Sequence, residues 1–142
     1  MITKVLNSII QRELLKLKIE IESYKDESNL WRIEKDIANS AGNLCLHLVG
    51  NLNTYLGTVL GQTGYVRNRD AEFSLKNISR KELIEKIEGT IQVVDQVLPA
   101  LTAEQLEKEY PMVVLKEATS TEFFLVHLAT HLTYHLGPVS YT

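Results

Sequence analysis

Three of the chain's four histidines, His127, His131 and His135, recur at every fourth residue in the run HLATHLTYH. On an α-helix this spacing lines them along one stripe. The fourth, His47, sits in a separate apolar segment, NLCLHLVGN. Two helices packed side by side can bring His47 against the stripe and close a metal site that faces the core. Imidazole suits Zn, Ni, Fe and Cu, and three ligands with one open position are the usual catalytic arrangement.

Helix geometry limits which histidines share an ion. His127 and His135 are eight residues apart, roughly 12 Å along the axis, too far for one ion with bonds of about 2 Å. His131 can pair with either neighbour. The histidine left over is then a group behind the ligands, a proton carrier or a packed core residue. A single buried histidine is more often a hydrogen-bonded core residue than a ligand. Three on one stripe are harder to explain that way, because each buried ring nitrogen needs a partner. No Glu follows His127 or His131, so the HExxH signature and its protease base are absent. Cys45 is the only cysteine, which rules out an internal disulfide and a thiolate zinc cluster. It lies two residues from His47, about 200° around a helix, and should pack elsewhere.

The elements that must position these residues follow from a 3.6-residue periodicity; strand signals are scarce. A first helix is expected over Thr3 to Tyr24, with Val5, Leu6, Ile9, Ile10, Leu14 and Leu17 as its apolar face. A second should start near Asp36 to Ser40 and run to about Leu60, burying Ile37, Ala41, Leu44, Leu48, Leu52 and Tyr55, with Gly57, Gly61 and Gly64 ending it. A long polar connection, GYVRNRDAEFSLKN, follows. Ser79-Arg-Lys-Glu82 has the form of a capping box and opens a third helix through Leu83, Ile87, Ile91, Val94 and Leu98, limited by Pro99. Thr102 to Gln105 can start a short turn. MVVLKEAT reads as extended or loop. Thr119-Ser-Thr-Glu122 is a second candidate box, opening the histidine helix, which should stop near Gly137-Pro138. Four helices and no repeats predict a single all-α domain over residues 1–142, a four-helix bundle. The connection between helices 2 and 3 is long for plain up-down topology, and loops of that length are often functional.

Bulk composition narrows the classes. The chain has 142 residues, 44% of them hydrophobic, and a net charge of −3. That is enough for a real core, with no basic run for nucleic acid. No apolar stretch is long enough to span a membrane, and the N-terminus lacks the continuous apolar run of a signal peptide. The expectation is a cytoplasmic protein with no membrane partner.

These residues resemble the DinB-like superfamily of metal-binding four-helix bundles. Its pattern is one His on helix 2 and a His-x-x-x-His-x-Gly-Gln motif on the last helix. His131-Leu-Thr-Tyr-His135-Leu-Gly137-Pro138 matches at every position but the last, and His47 stands where the first His is expected. The surrounding Asn39-Ser-Ala-Gly-Asn-Leu44, His47-Leu-Val-Gly-Asn51 and Arg67-Asn-Arg-Asp-Ala-Glu-Phe73 are similar to a subfamily known only as a domain of unknown function. The resemblance covers nearly the whole chain. It implies His47, His131 and His135 as ligands of a divalent transition metal, zinc or nickel above all. Proline at position 138 in place of the Gln clashes with the carbonyl of Tyr134, and should kink or end the helix just past His135.

Relatives in that superfamily include thiol S-transferases that use bacillithiol, glutathione or mycothiol, so the resemblance implies a metal-dependent transferase or hydrolase of a small-molecule substrate, with a low-molecular-weight thiol as a second cofactor. Cofactor-binding candidates are Asn51, one turn after His47; Tyr134, three residues from His131, either a proton donor or a buried packing residue; and Arg67 and Arg69 in the charged loop, where an arginine can grip a carboxylate. The plainer reading of Arg67, Arg69, Asp70 and Glu72 is a salt-bridged loop that pins the long connection to the bundle. Two alternatives stand beside the enzyme: a non-catalytic, metal-binding or stress-associated dimer, and a bundle without metal. A homodimer through an apolar face of the first or third helix is the expected assembly, as is common among relatives.

Overall fold

The computed structural model describes residues 2–33 and 38–141. Its long helices are α1 (Ile2–Ser23), α2 (Ala41–Leu52), α4 (Arg80–Val97) and α6 (Thr121–Tyr141), with shorter α3 (Arg69–Ser74) and α5 (Ala103–Glu107) between them. No helix among the described residues is long and apolar enough to cross a membrane.

Leu6, Ile10, Leu14, Leu17 and Ile21 carry the buried stripe of α1, while Val5, expected on that face, is about half exposed. Asp26 caps a 3₁₀ turn, Glu27–Trp31, which lays Trp31 over Gly42 of α2. Ser40 caps α2, its Oγ accepting the Asn43 N–H at 3.1 Å. The expected start at Asp36 and the expected burial of Ile37 lie outside the described residues. Every residue of α2 is buried, because other segments cover both its flanks. Gly57 does not end this helix. The chain continues as a π-helical stretch, Asn53–Thr58, and a last turn to Gly61; the left-handed residue that stops it is Gln62. Gly61 serves instead for close approach, since a Cβ there would stand 2.6 Å from Val97 Cγ2.

Cap chemistry follows the sequence in part. Ser79 Oγ accepts the Glu82 N–H, one half of the box expected there, while Thr102 and Gln105 form a full reciprocal box. On α6 the cap is Ser120, accepting the Phe123 N–H, so the cap falls one residue after the expected Thr119 and, with phenylalanine three residues on, is not a box. Pro138 neither ends nor caps α6, which runs on to Tyr141. Its predecessor is Gly137, and a residue without a Cβ relieves the crowding that proline imposes on the position before it.

α1 packs on α4 and α6, α2 packs on the same two, and α1 barely meets α2. The two therefore stand at opposite corners. Side-chain bonds give the directions. Asn7 bonds Asp95 and Gln11 bonds the carbonyl of Ile91, so α1 and α4 are antiparallel. Asn53 bonds Thr90 and Gly57 abuts Val93, so α2 and α4 are parallel. Tyr55 meets Phe124 at one end and His47 meets His135 at the other, so α2 and α6 are antiparallel. Parallel neighbours cannot be joined by a short turn. The segment 62–79 must travel back along the bundle, and that is why the connection is long.

Candidate metal centre

Antiparallel α2 and α6 carry His47 to the C-terminal half of the histidine stripe, beside His131 and His135. His47 Nε2 and His131 Nε2 stand 3.3 Å apart. The His131 and His135 rings lie 4.5 Å apart, and His47 and His135 5.2 Å. One ligand atom from each of His47, His131 and His135 falls within 4.8 Å of the other two, the one such group among the described residues. His127 stays outside: its ring is 6.4 Å from His131 and leans on Phe124. Cys45 packs elsewhere, where burial pushes its thiol up to about 12.

The donor set fits a small divalent ion. Two metal–nitrogen bonds of about 2.0–2.1 Å at a tetrahedral angle place their nitrogens about 3.3 Å apart. Burial is the main force lowering the pKa of all three rings. It takes His131 down to about 4, with His135, His47, His127 and Arg67 adding in that order. His47 is lowered by burial against the opposing pull of Glu72, and His135 by burial and then by His47. All three are therefore neutral near pH 7, the form that ligates metals. His131 Nδ1 is buried and has no hydrogen-bond partner. Such an orphan costs about 1–3 kcal/mol, which is poor value for packing alone and ordinary at a functional site.

His47 does not rest on apolar packing alone. The returning segment brings α3 across it, and Glu72 Oε1 lies 3.1 Å from His47 Nδ1. Arg67 holds that carboxylate with both arms, Nε to Oε2 at 2.7 Å and Nη2 to Oε1 at 2.9 Å. Asn43, one turn before His47, donates its amide to the carbonyls of Glu72 and Leu75 at 2.9 and 2.8 Å, anchoring α3. The plainer expectation of a salt-bridged loop describes Arg67 and Glu72, but residue spacing alone does not place Glu72 against His47. The trace of that contact in the sequence is the Arg67–Glu72 spacing across a short helix, together with Gly50 three residues after His47.

The remaining candidates scatter. Asn51 is buried one turn beyond His47, and its Oδ1 has no partner. The Arg69 guanidinium lies over the Phe73 ring at 5.9 Å. Tyr134 is not a packing residue: it is 74% exposed, with its ring 5.2 Å from His135.

The lowered histidines set a pH dependence for the metal-free protein. Unfolded histidine takes a proton near pH 6.5, but buried His131 resists until about 4. Between those values the unfolded state holds more protons, so stability falls as pH drops through this window. The melting temperature of metal-free protein should decline from pH 7 to 4.5, and His131→Leu should flatten that decline. Equal slopes for the two proteins would refute the assignment.

A family model for proteins of unknown function, DUF1572, matches residues 6–142. No curated protein matches the chain. Among solved structures it is similar to YfiT from Bacillus subtilis, described as a probable metal-dependent hydrolase with an unusual four-helix bundle topology, at a TM-score of 0.77 and 18% identity over 97% of this chain and 83% of that one. At that identity the likeness speaks for the fold. The chain belongs to the DUF1572 family, and its fold is that of a four-helix bundle.

Proposed function

We propose that this protein binds one divalent transition metal through His47, His131 and His135 and uses it to hydrolyse a small molecule. The observation that carries the reading is the 3.3 Å approach of two imidazole Nε2 atoms from different helices, with the third ring of the group beside them. The described likeness of fold to a probable metal-dependent hydrolase supports it. When bound, such an ion supplies Lewis acidity and lowers the pKa of a nucleophile at its open position. The chain's own residues prepare for that. Three neutral imidazoles leave the ion's charge uncancelled, and Arg67 and Glu72 cancel each other. Zinc and nickel are among the ions that this donor set suits. His127, half-buried one turn from His131, is the nearest further imidazole able to carry a proton.

A thiol transferase would use the same ligands, and the test separates the two. Protein stripped of metal and then reloaded with Zn²⁺ or Ni²⁺ is assayed against esters, amides and lactones, and against electrophiles with and without bacillithiol or glutathione. Turnover of the hydrolytic substrates by the loaded protein only is the expected result. Turnover that requires the thiol would replace hydrolysis by transfer. No turnover with one bound metal would leave a non-catalytic metal-binding protein.

A further inference from the structure

We propose that Glu72 is a positioning residue of this centre: held by Arg67, it fixes the tautomer and orientation of His47, so that the returning segment 62–79 is part of the centre and not only a tether. The inference rests on the reading of the three histidines as a metal site.

The tautomer follows from the contacts. His47 Nδ1 faces two groups, Glu72 Oε1 at 3.1 Å and Arg67 Nη2 at 3.4 Å. Arg67 can only donate, and Glu72, when ionised, can only accept. If Nδ1 were the bare nitrogen, its lone pair would point at a carboxylate oxygen across the shorter distance. Arg67 already spends Nε and Nη2 on that carboxylate. The shorter contact to the acceptor therefore decides, and Nδ1 carries the hydrogen. The lone pair is then on Nε2, which faces His131. Carboxylate–histidine–metal triads work in this way, the outer carboxylate fixing the ring and raising its basicity.

The surroundings are built to let the carboxylate in. A Cβ on Gly50 would stand 1.9 Å from Glu72 Oε2, so the carboxylate occupies the space that a side chain on α2 would fill. Glu72 is 5% exposed, and a carboxylate this buried is costly unless paired. A surface tether would not need that burial.

The test uses the full chain. Zn²⁺ affinity is measured by chelator competition for wild type, Glu72→Gln, Glu72→Ala, Arg67→Lys and His131→Ala, and the His47 tautomer is read in metal-free protein by long-range ¹H–¹⁵N correlation. Wild type should show hydrogen on Nδ1. Glu72→Ala should mix the tautomers and weaken Zn²⁺ binding about 10–100-fold, the range typical of outer-sphere partners. Glu72→Gln, near-isosteric, keeps an accepting oxygen; it should retain the Nδ1–H form and lose less affinity than Glu72→Ala. Should the alanine variant not fold, Glu72→Gln and Arg67→Lys carry the test, each expected to weaken binding several-fold. Affinity equal to wild type in every folded variant, or a wild-type ring with hydrogen on Nε2, would overturn the proposal. Equal Zn²⁺ binding by wild type and His131→Ala would instead overturn the metal site itself.

Discussion

Replacing His131 with alanine is expected to abolish the rise in melting temperature that Zn²⁺ or Ni²⁺ gives the wild-type protein. Ligand that binds only the folded state at a hundred times its Kd stabilises by about 2.7 kcal/mol. For chains slightly longer than this one, each kcal/mol is worth about 2–4 °C. A shift of about 5–11 °C should therefore appear in wild type and vanish in the variant. His131 is the most sensitive position because its ring makes the two shortest of the three ring separations, 4.5 Å to His135 and 5.1 Å to His47. His127→Ala supplies the contrast: its ring is outside the group, so the shift should survive while turnover falls. Equal metal shifts in His131→Ala and wild type would place the ion elsewhere or nowhere.

Gly50→Ala is expected to be strongly destabilising although it adds a single methyl group. In a solvent-facing helix this substitution stabilises by about 1 kcal/mol, through propensity. Here the new Cβ meets Glu72 Oε2 at 1.9 Å, its Cδ at 2.7 Å and Arg67 Nε at 3.3 Å. The carboxylate must leave, and breaking a buried ion pair costs about 3–5 kcal/mol. Set against the propensity gain, the net loss is about 2–4 kcal/mol. Urea denaturation of metal-free protein measures it. Gly89 on α4, where a Cβ would meet nothing within 4 Å, is the control and should gain stability as alanine. Gly50→Ala at wild-type stability would show that the Glu72 seat is loose.

What short-range physics controls was readable in advance. The i, i+4 histidine stripe, the Ser79 and Thr102 caps, and the buried positions Leu6, Leu14, Leu48, Leu83 and Ile87 all follow from a 3.6-residue turn and from N–H groups that need partners within three residues. Local chemistry was less decisive where neighbours compete with it. Gly57 suggested a stop, but packing against Val93 keeps the chain helical there, and Gln62 takes the left-handed turn. Pro138 suggested another, but Gly137 before it lets α6 continue.

Four helices, a stripe of imidazoles on the last and a lone histidine on the second are legible in residue spacing alone. The parallel run of α2 and α4, the return of the connection past His47 and the placing of Glu72 against a ring 25 residues away emerge from packing in three dimensions. Helix direction costs nothing within a helix. It is settled by which faces bury the most apolar surface together, a long-range sum that no local spacing records. The partner of His47 could be seen only after that sum had fixed the path of the chain.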